Sequence, residues 1–359
     1  ATEMREIQID LAAIRGNYLT LKKTFAPAKV MAVIKANAYG HGMHEIAAAL
    51  EQVSVDQLGV ADLTEALELR SAGVRAPIMC WLLGPADDLQ LAKESGIALG
   101  ISTLSNLARV PSDALIHIKI DTGLGRNGFM LDQLPAVIEI VKDRKLTIAG
   151  VFSHIANTSE AEDWEQNSKF QEALALLDAA GIEVETRHLA ASAAALSYSE
   201  MHYDMVRCGL IVYGLNPFDD RQLDQVSLSP AMRVSAEIIN IKQVAKGQGV
   251  SYGYRFVTQE PTRLGLVPFG YAEGMPRVSV GAKVLINGKL LPVVGSIAMD
   301  QFVIDLGSTA AEIGDEVVIF GNAAAGEPTA EQLGESSGSI NYEIVTRIGG
   351  RANRVYLGQ

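Results

Sequence analysis

The sequence predicts an α/β protein: an N-terminal (β/α)8 TIM-type barrel over residues 1–228, then a mainly-β C-terminal domain over residues 229–359. Three observations carry this. The chain has 359 residues, more than one hydrophobic core usually holds, so two domains are the default. Its first part alternates apolar strand-like runs with amphipathic helix-like runs, as a parallel barrel requires. Near Leu228–Pro230 the character changes, and short apolar runs crowd together with turn residues between them.

Taken in order, Ile7–Ile9 leads into a helical segment, Leu11–Phe25. Strand-like runs recur at Val30–Ile34, Leu58–Ala61, Pro77–Leu82, Ile97–Ile101, Ile116–Ile120, Ile148–Phe152, Val184–Leu189 and Met205–Val212, the last broken at Gly209. Helix candidates between them include Leu63–Arg70, Asp132–Val141 and Ser168–Ala180. Leu134, Val137, Ile138 and Val141 have the i, i+3, i+4, i+7 spacing of a helix with one buried face, and Asp132 is the expected N-cap. A doubly wound open sheet is the structural rival, and periodicity alone does not separate the two. The second part reads as strands at Ser235–Val244, Leu264–Gly270, Lys283–Ile286, Leu291–Val294, Gln301–Leu306 and Glu316–Phe320. Lys246–Gly247, Asn287–Gly288 and Gly314–Asp315 mark turns between them.

Composition narrows the function. A formal charge of −12 with no dense basic cluster argues against nucleic acid and against anionic membrane surfaces. Hydrophobic residues make up 48% and charged residues 20%, a soluble globular balance. Cys80 and Cys208 are too few for a disulfide framework and read as reduced. No apolar stretch reaches the length of a membrane span, and the first residues lack a signal-peptide pattern. The expectation is a cytoplasmic enzyme.

In a barrel, chemistry belongs at the carboxyl ends of the strands. The stretch V-I-K-A-N-A-Y-G-H-G, Val33 to Gly42, delivers Lys35 at such an end and Tyr39 four residues on. A buried amine loses charge easily and becomes a nucleophile toward carbonyl groups. I-H-I-K-I-D-T-G-L-G-R-N-G, Ile116 to Gly128, alternates apolar residues with His117, Lys119 and Asp121, then sets Arg126 among glycines. F-S-H-I-A places His154, R-H-L-A-A-S-A-A places Ser192 at a turn into a helix, and M-V-R-C-G-L places Arg207 before Gly209. A hydroxyl with exposed N–H groups on late strands suits a phosphate. Nucleophilic lysine, phosphate cradle and strand-end arginines together match the needs of pyridoxal phosphate. Singly, each residue has a plainer structural reading; jointly, five polar strand ends are hard to call accidental. His41 and His44 have a spacing open to metal, but no second cluster accompanies them, so no metal is expected.

These motifs, with V-S-Y-G (Val250–Gly253), F-G-Y-A-E-G, G-S-I-A-M-D-Q and I-N-Y-E in the second part, resemble the alanine racemases, fold-type III pyridoxal-phosphate enzymes. The resemblance runs over nearly the whole chain. Small departures are Asn127, Ala191 and Ala298, of which Ala191 removes one polar contact near the phosphate. It implies interconversion of L- and D-alanine for peptidoglycan, with pyridoxal 5'-phosphate held by Lys35. Tyr252 would be the second base, since inversion needs one group on each face of the α-carbon. Tyr39, Ser192, Gly209, Leu210 and Tyr342 would bind the phosphate, Arg207 the ring nitrogen, and Arg126 the substrate carboxylate. His154 would assist Tyr252, Met299 would restrict the substrate, and Lys119 would be carbamylated. The resemblance also implies a homodimer whose sites are shared between subunits. The alternatives are a racemase for another small amino acid such as serine, an amino-acid decarboxylase of the same fold type, and a non-enzymatic cofactor carrier. The decarboxylases use a cysteine in the second domain, and here none follows Cys208.

Overall fold

The computed structural model describes residues 4–279 and 281–359. Its first strand is β1 (Arg5–Asp10), followed by α1 (Leu11–Phe25). Eight parallel strands then close into a barrel: β2 (Lys29–Val33), β3 (Gln57–Asp62), β4 (Ile78–Leu82), β5 (Ile97–Ile101), β6 (Ile116–Lys119), β7 (Ile148–Phe152), β8 (Val184–Ala191) and β9 (Met205–Cys208). Closure is direct, because β2 pairs with both β3 and β9. The open-sheet rival is thereby excluded. Barrel strands face helices on one side and packed side chains on the other, which is why both faces of β5 and β6 are buried.

The helices between strands are α2 (Met43–Gln52), α3 (Leu63–Ser71), α4 (Leu89–Glu94), α5 (Leu104–Arg109), α6 (Leu134–Asp143), α7 (Glu160–Ala179) and α8 (Ser192–Ser197). Several start on a side-chain cap that satisfies a free helix N–H. Asp10 accepts from Ala13, Asp62 from Glu65, Asp88 from Leu91 and Thr103 from Asn106. Asp132 is not such a cap. It lies in a 3-10 turn, Leu131–Gln133, and α6 starts after Gln133 without a side-chain cap. Helix α7 begins at Glu160, earlier than Ser168, because Ser159 caps it and its first turns are acidic rather than apolar.

The second domain adds β10 (Met232–Glu237), β11 (Asn240–Val244), β12 (Gly249–Val250), β13 (Phe256–Val257), β14 (Thr262–Val267), β15 (Lys283–Ile286), β16 (Lys289–Val294), β17 (Phe302–Asp305) and β18 (Glu316–Phe320). Two helices, α9 (Ala330–Ser336) and α10 (Asn341–Arg347), precede the last strand, β19 (Asn353–Leu357). The apolar run Ser235–Val244 is thus two strands. Nine strands form one sheet in the order β11-β14-β17-β16-β15-β18-β10-β1-β19.

Strand β1 therefore belongs in space to the second domain's sheet. Ile7 and Ile9 are fully buried there, opposite Val234 and Met232 of β10, while the other edge of β1 pairs parallel with β19. The chain starts in one domain, builds the other, and returns. Both domains share a continuous apolar core, so α10 can be set rigidly against the barrel mouth. Among the described residues no helix is long and apolar enough to cross a membrane.

Candidate active site

Lys35 follows β2, and the chain then makes one left-handed turn. Ala36, Asn37, Ala38 and Tyr39 all have φ between 52° and 54°. Left-handed backbone costs non-glycine residues about 1–2 kcal/mol each, so the turn must be held from outside. Glu65 accepts from the N–H of Ala36 at 2.7 Å, and Asn37 Oδ1 accepts from the N–H of Met43 at 2.8 Å. His41 Nδ1–H lies 3.0 Å from the carbonyls of both Ala38 and Tyr39, while its ring stacks on Tyr213 at 4.4 Å. A Cβ on Gly40 would stand 2.2 Å from the Val345 carbonyl oxygen, so α10 closes directly on the turn. His41 and His44 serve different ends, since His44 is exposed and pairs with Glu68.

The turn swings Tyr39 under the end of β9. A Cβ on Gly209 would stand 2.2 Å from the Tyr39 hydroxyl, and the Gly209 N–H donates to Ser192 Oγ at 3.2 Å. Leu210 is fully buried beside them, and the Tyr342 ring from α10 lies 6.2 Å from that of Tyr39. Two hydroxyls, a backbone N–H and a glycine without side chain therefore meet where late barrel strands commonly hold phosphate.

Arg207 lies across the barrel interior. Its Nη1 donates to His188 Nδ1 at 3.0 Å; its Nη2 reaches the Ser153 carbonyl at 2.6 Å, the Leu189 carbonyl at 2.9 Å and His154 Nδ1 at 3.2 Å. Burial, then the charge of Arg126, pushes its pKa down, but donation to four acceptors keeps the guanidinium charged. The same burial and the Arg207 charge hold His154 and His188 well below the usual histidine range. Neutral His188 accepts on Nδ1, so its Nε2 carries the proton and donates to His117 Nδ1 at 2.9 Å. By the same logic His154 keeps its proton on Nε2.

Lys119 is buried at the end of β6, its ammonium 4.7 Å from the Phe152 ring centroid. Burial, then Arg207 and Arg126, holds its pKa well below the ordinary lysine value. Lys35 is lowered by burial first and then by Arg126, with Glu65 opposing. Arg126 stands in a loop whose backbone is tied down by Asp121, which accepts from the N–H groups of Gly123, Gly125 and Arg126. Asp121 therefore shapes the loop. Among the described residues the Arg126 side chain has no ion pair, while its charge acts on Lys35, Lys119 and Arg207. Four basic groups thus converge inside a chain of net charge −12.

Tyr252 and Met299 are not brought to this group within the chain. They lie on the second domain, 76% and 54% exposed. Three residues at the barrel site escape the sequence reading. Glu65 holds the left-handed turn through Ala36 and also accepts from Ala61. Trp81 points its ring toward Lys35, 5.9 Å from the ammonium, in a slot that exists because positions 59 and 100 are glycine. Phe152 stacks on His188 at 4.8 Å. The motif carrying His188 is conspicuous in the sequence, but no local pattern announces Trp81.

A closed barrel with a strand-end lysine, a hydroxyl cradle and a second domain closing its mouth defines a two-domain enzyme of the barrel type. Models of the alanine racemase N-terminal and C-terminal domains match residues 9–217 and 231–356. The alanine racemases of Beutenbergia cavernae and Thermobifida fusca are each 42% identical, over 98% of this chain and 97% and 98% of their own lengths. The structure is similar to that of alanine racemase from D-cycloserine-producing Streptomyces lavendulae, with a TM-score of 0.96 and 41% identity over 100% of this chain and 98% of that one. It is also similar to the Bacillus anthracis alanine racemase with bound L-Ala-P, with a TM-score of 0.91 and 32% identity over 100% of this chain and 96% of that one. The chain belongs to the alanine racemase family, whose members are amino-acid isomerases.

Proposed function

We propose that this protein interconverts L-alanine and D-alanine, supplying D-alanine for peptidoglycan, with pyridoxal 5'-phosphate as cofactor and Lys35 and Tyr252 as the two proton-transfer groups. The observation that carries the reading is the convergence of Lys35, Lys119, Arg126 and Arg207 beside the Tyr39–Ser192–Gly209 cradle. Such a field suits an anionic ligand with a phosphate at one end and an amino-acid carboxylate at the other.

The residues present fit the cofactor. Gly209 has no side chain where the Tyr39 hydroxyl sits, and Ser192 Oγ accepts from the Gly209 N–H beside it. Lys35 is the amine that would hold the carbonyl carbon, Tyr342 and Leu210 would complete the phosphate end, and Arg207 would face the ring nitrogen. When bound, pyridoxal phosphate withdraws electrons from the substrate and acidifies its α-hydrogen.

The chain's own work is proton placement. The lowered pKa of Lys35 raises its neutral, proton-accepting fraction near neutral pH. Arg207 would donate to the ring nitrogen without surrendering its own proton, which would leave that nitrogen unprotonated and the electron withdrawal moderate. That favours prompt return of a proton to the α-carbon over side reactions. Arg126 would bind the carboxylate of the substrate. The His154 Nε2–H is available to a phenolate, which lowers the cost of using a tyrosine as base. Met299 would limit the substrate to a small side chain.

Exposure of Tyr252 and Met299 supports a homodimer in which each second domain completes the partner's barrel. Lys119 is proposed to be carbamylated. As an ammonium it repels Arg126; as a carbamate it becomes an anion that orients that arginine.

The test is circular dichroism of L-alanine and of L-serine after addition of the cofactor-loaded protein. Loss of the L-alanine signal to zero, with L-serine slower, is expected. A yellow cofactor band without any change in L-alanine or any α-deuterium exchange would leave only a carrier.

A further inference from the structure

We infer that Ser296 and Ser251 are positioning residues for Tyr252, clasping its main chain so that the phenol is presented in one place. The inference rests on Tyr252 being a proton-transfer group. Ser251 Oγ donates to the Ser296 carbonyl at 2.6 Å, and Ser296 Oγ donates back to the Tyr252 carbonyl at 3.0 Å. The two bonds are reciprocal and bracket a single peptide.

The bracketed turn needs holding. Ser251 has φ 59° and ψ −171°, a backbone region almost reserved for glycine. Gly253 and Tyr254 also have positive φ, 73° and 45°. Only a 3.4 Å backbone bond, Tyr254 N–H to Ser251 carbonyl, closes the turn from within, which is weak by distance. Tyr252 itself is exposed in its own chain, so side-chain packing there does not fix its main chain. The Ser296 hydroxyl is the side-chain group that does so.

The clasp also coordinates Tyr252 with its neighbours. Gly295 approaches so closely that a Cβ there would lie 2.7 Å from the Val250 carbonyl oxygen. Two and three residues beyond Ser296, the carbonyls of Ala298 and Met299 accept from the N–H groups of Tyr271 and Ala272 at 3.1 and 2.9 Å. The loop from Gly295 to Met299 is thus one frame that carries Tyr252 at its start and Met299 and Tyr271 at its end. It gives an exposed tyrosine in a strained turn a fixed position, and position is what proton transfer demands.

Ser296→Ala keeps the loop's size and deletes the returning hydrogen bond. In D2O the holoenzyme variant is expected to invert alanine about tenfold more slowly, the scale of a small misplacement of a reacting group. Exchange of the α-hydrogen with retention, on the enantiomer served by Lys35, should persist near the wild-type rate. The ratio of exchange to inversion therefore rises about tenfold, and Ser296→Thr should restore it. Ser251→Gly, which tolerates the positive φ and removes the other hydroxyl, should give the same signature and stands in if Ser296→Ala does not fold. Unchanged inversion, an equal fall in exchange and inversion, or no recovery with Ser296→Thr would overturn the inference. Tyr252→Phe is run beside them: if it inverts alanine normally, the two-base reading itself is wrong, and if it alone shows the signature, only the clasp is.

Discussion

The hydroxyl of Tyr39 occupies the place from which a side chain on Gly209 would exclude it, at 2.2 Å from an added Cβ. Tyr39 is fixed there by stacking on Tyr213 at 4.9 Å and by the left-handed turn behind it. Gly209→Ala must therefore displace Tyr39 or the end of β9. Overpacking of this kind costs about 1–3 kcal/mol. If the cradle binds phosphate, that cost appears as a pyridoxal-phosphate affinity about 5- to 150-fold weaker. Titration of the apoprotein followed by absorbance would measure it, and unchanged affinity would place the phosphate elsewhere.

Lys119 makes a second prediction. Its depressed pKa raises the fraction of neutral, nucleophilic amine, and Arg126 and Arg207 attract any anion formed on it. Attack of the amine on CO2 forms an N–C bond and releases one proton, giving the carbamate. Protein equilibrated with 13C-labelled bicarbonate should show one slowly exchanging carbamate carbon by NMR, absent from Lys119→Arg. A spectrum without that resonance would leave Lys119 as a bare amine.

The buried His41 predicts a pH dependence of stability. Burial, with the Arg354 charge assisting, lowers its pKa to about 4 against the two carbonyls that its Nδ1–H serves. The unfolded chain, with an ordinary value of about 6.5, then binds a proton that the folded chain refuses. Stability from this residue is full above about pH 6.5 and falls by about 1.4 kcal/mol per unit as pH drops toward 4. His41→Asn keeps an N–H donor and removes the titration. Its denaturant midpoint should be lower at pH 7 through lost stacking on Tyr213, yet fall less steeply between pH 6.5 and 4. Parallel profiles for the two proteins would rule out this linkage.

The barrel was legible because its signal is local. Most of its eight strands are short apolar runs, and Ile116, Ile118 and Ile120 alternate with polar residues in plain sight. The partners of β1 were not, since pairing with β10 and β19 depends on residues more than 200 positions away. The acidic first turns of α7 carry no apolar stripe, so its start was invisible to periodicity. In the site, residue types announced the cations and hydroxyls. The left-handed turn that aims Tyr39 did not show, because Ala36, Ala38 and Tyr39 rarely adopt that backbone and only Asn37 favours it. Trp81 was hidden for a related reason: its slot is made of what Gly59 and Gly100 lack.

The exposure of Tyr252 leads to the last prediction. A phenol that is 76% exposed in its own chain would meet the Lys35 of a second copy in the proposed homodimer. Lys35→Ala and Tyr252→Phe should each be nearly inactive as homodimers. Mixed under conditions that let subunits exchange, they form hybrids in which one site carries both defects and the other neither. With random exchange half of the dimers are hybrids and each has one intact site, so about a quarter of the wild-type rate should return. Chains carrying both substitutions, mixed with either single variant, should recover nothing, because no dimer then holds an intact lysine opposite an intact tyrosine. If the two single variants exchange subunits, as labelled chains would show, and the mixture stays inactive, each chain must complete its own site, and Tyr252 must reach Lys35 by a rearrangement of the second domain.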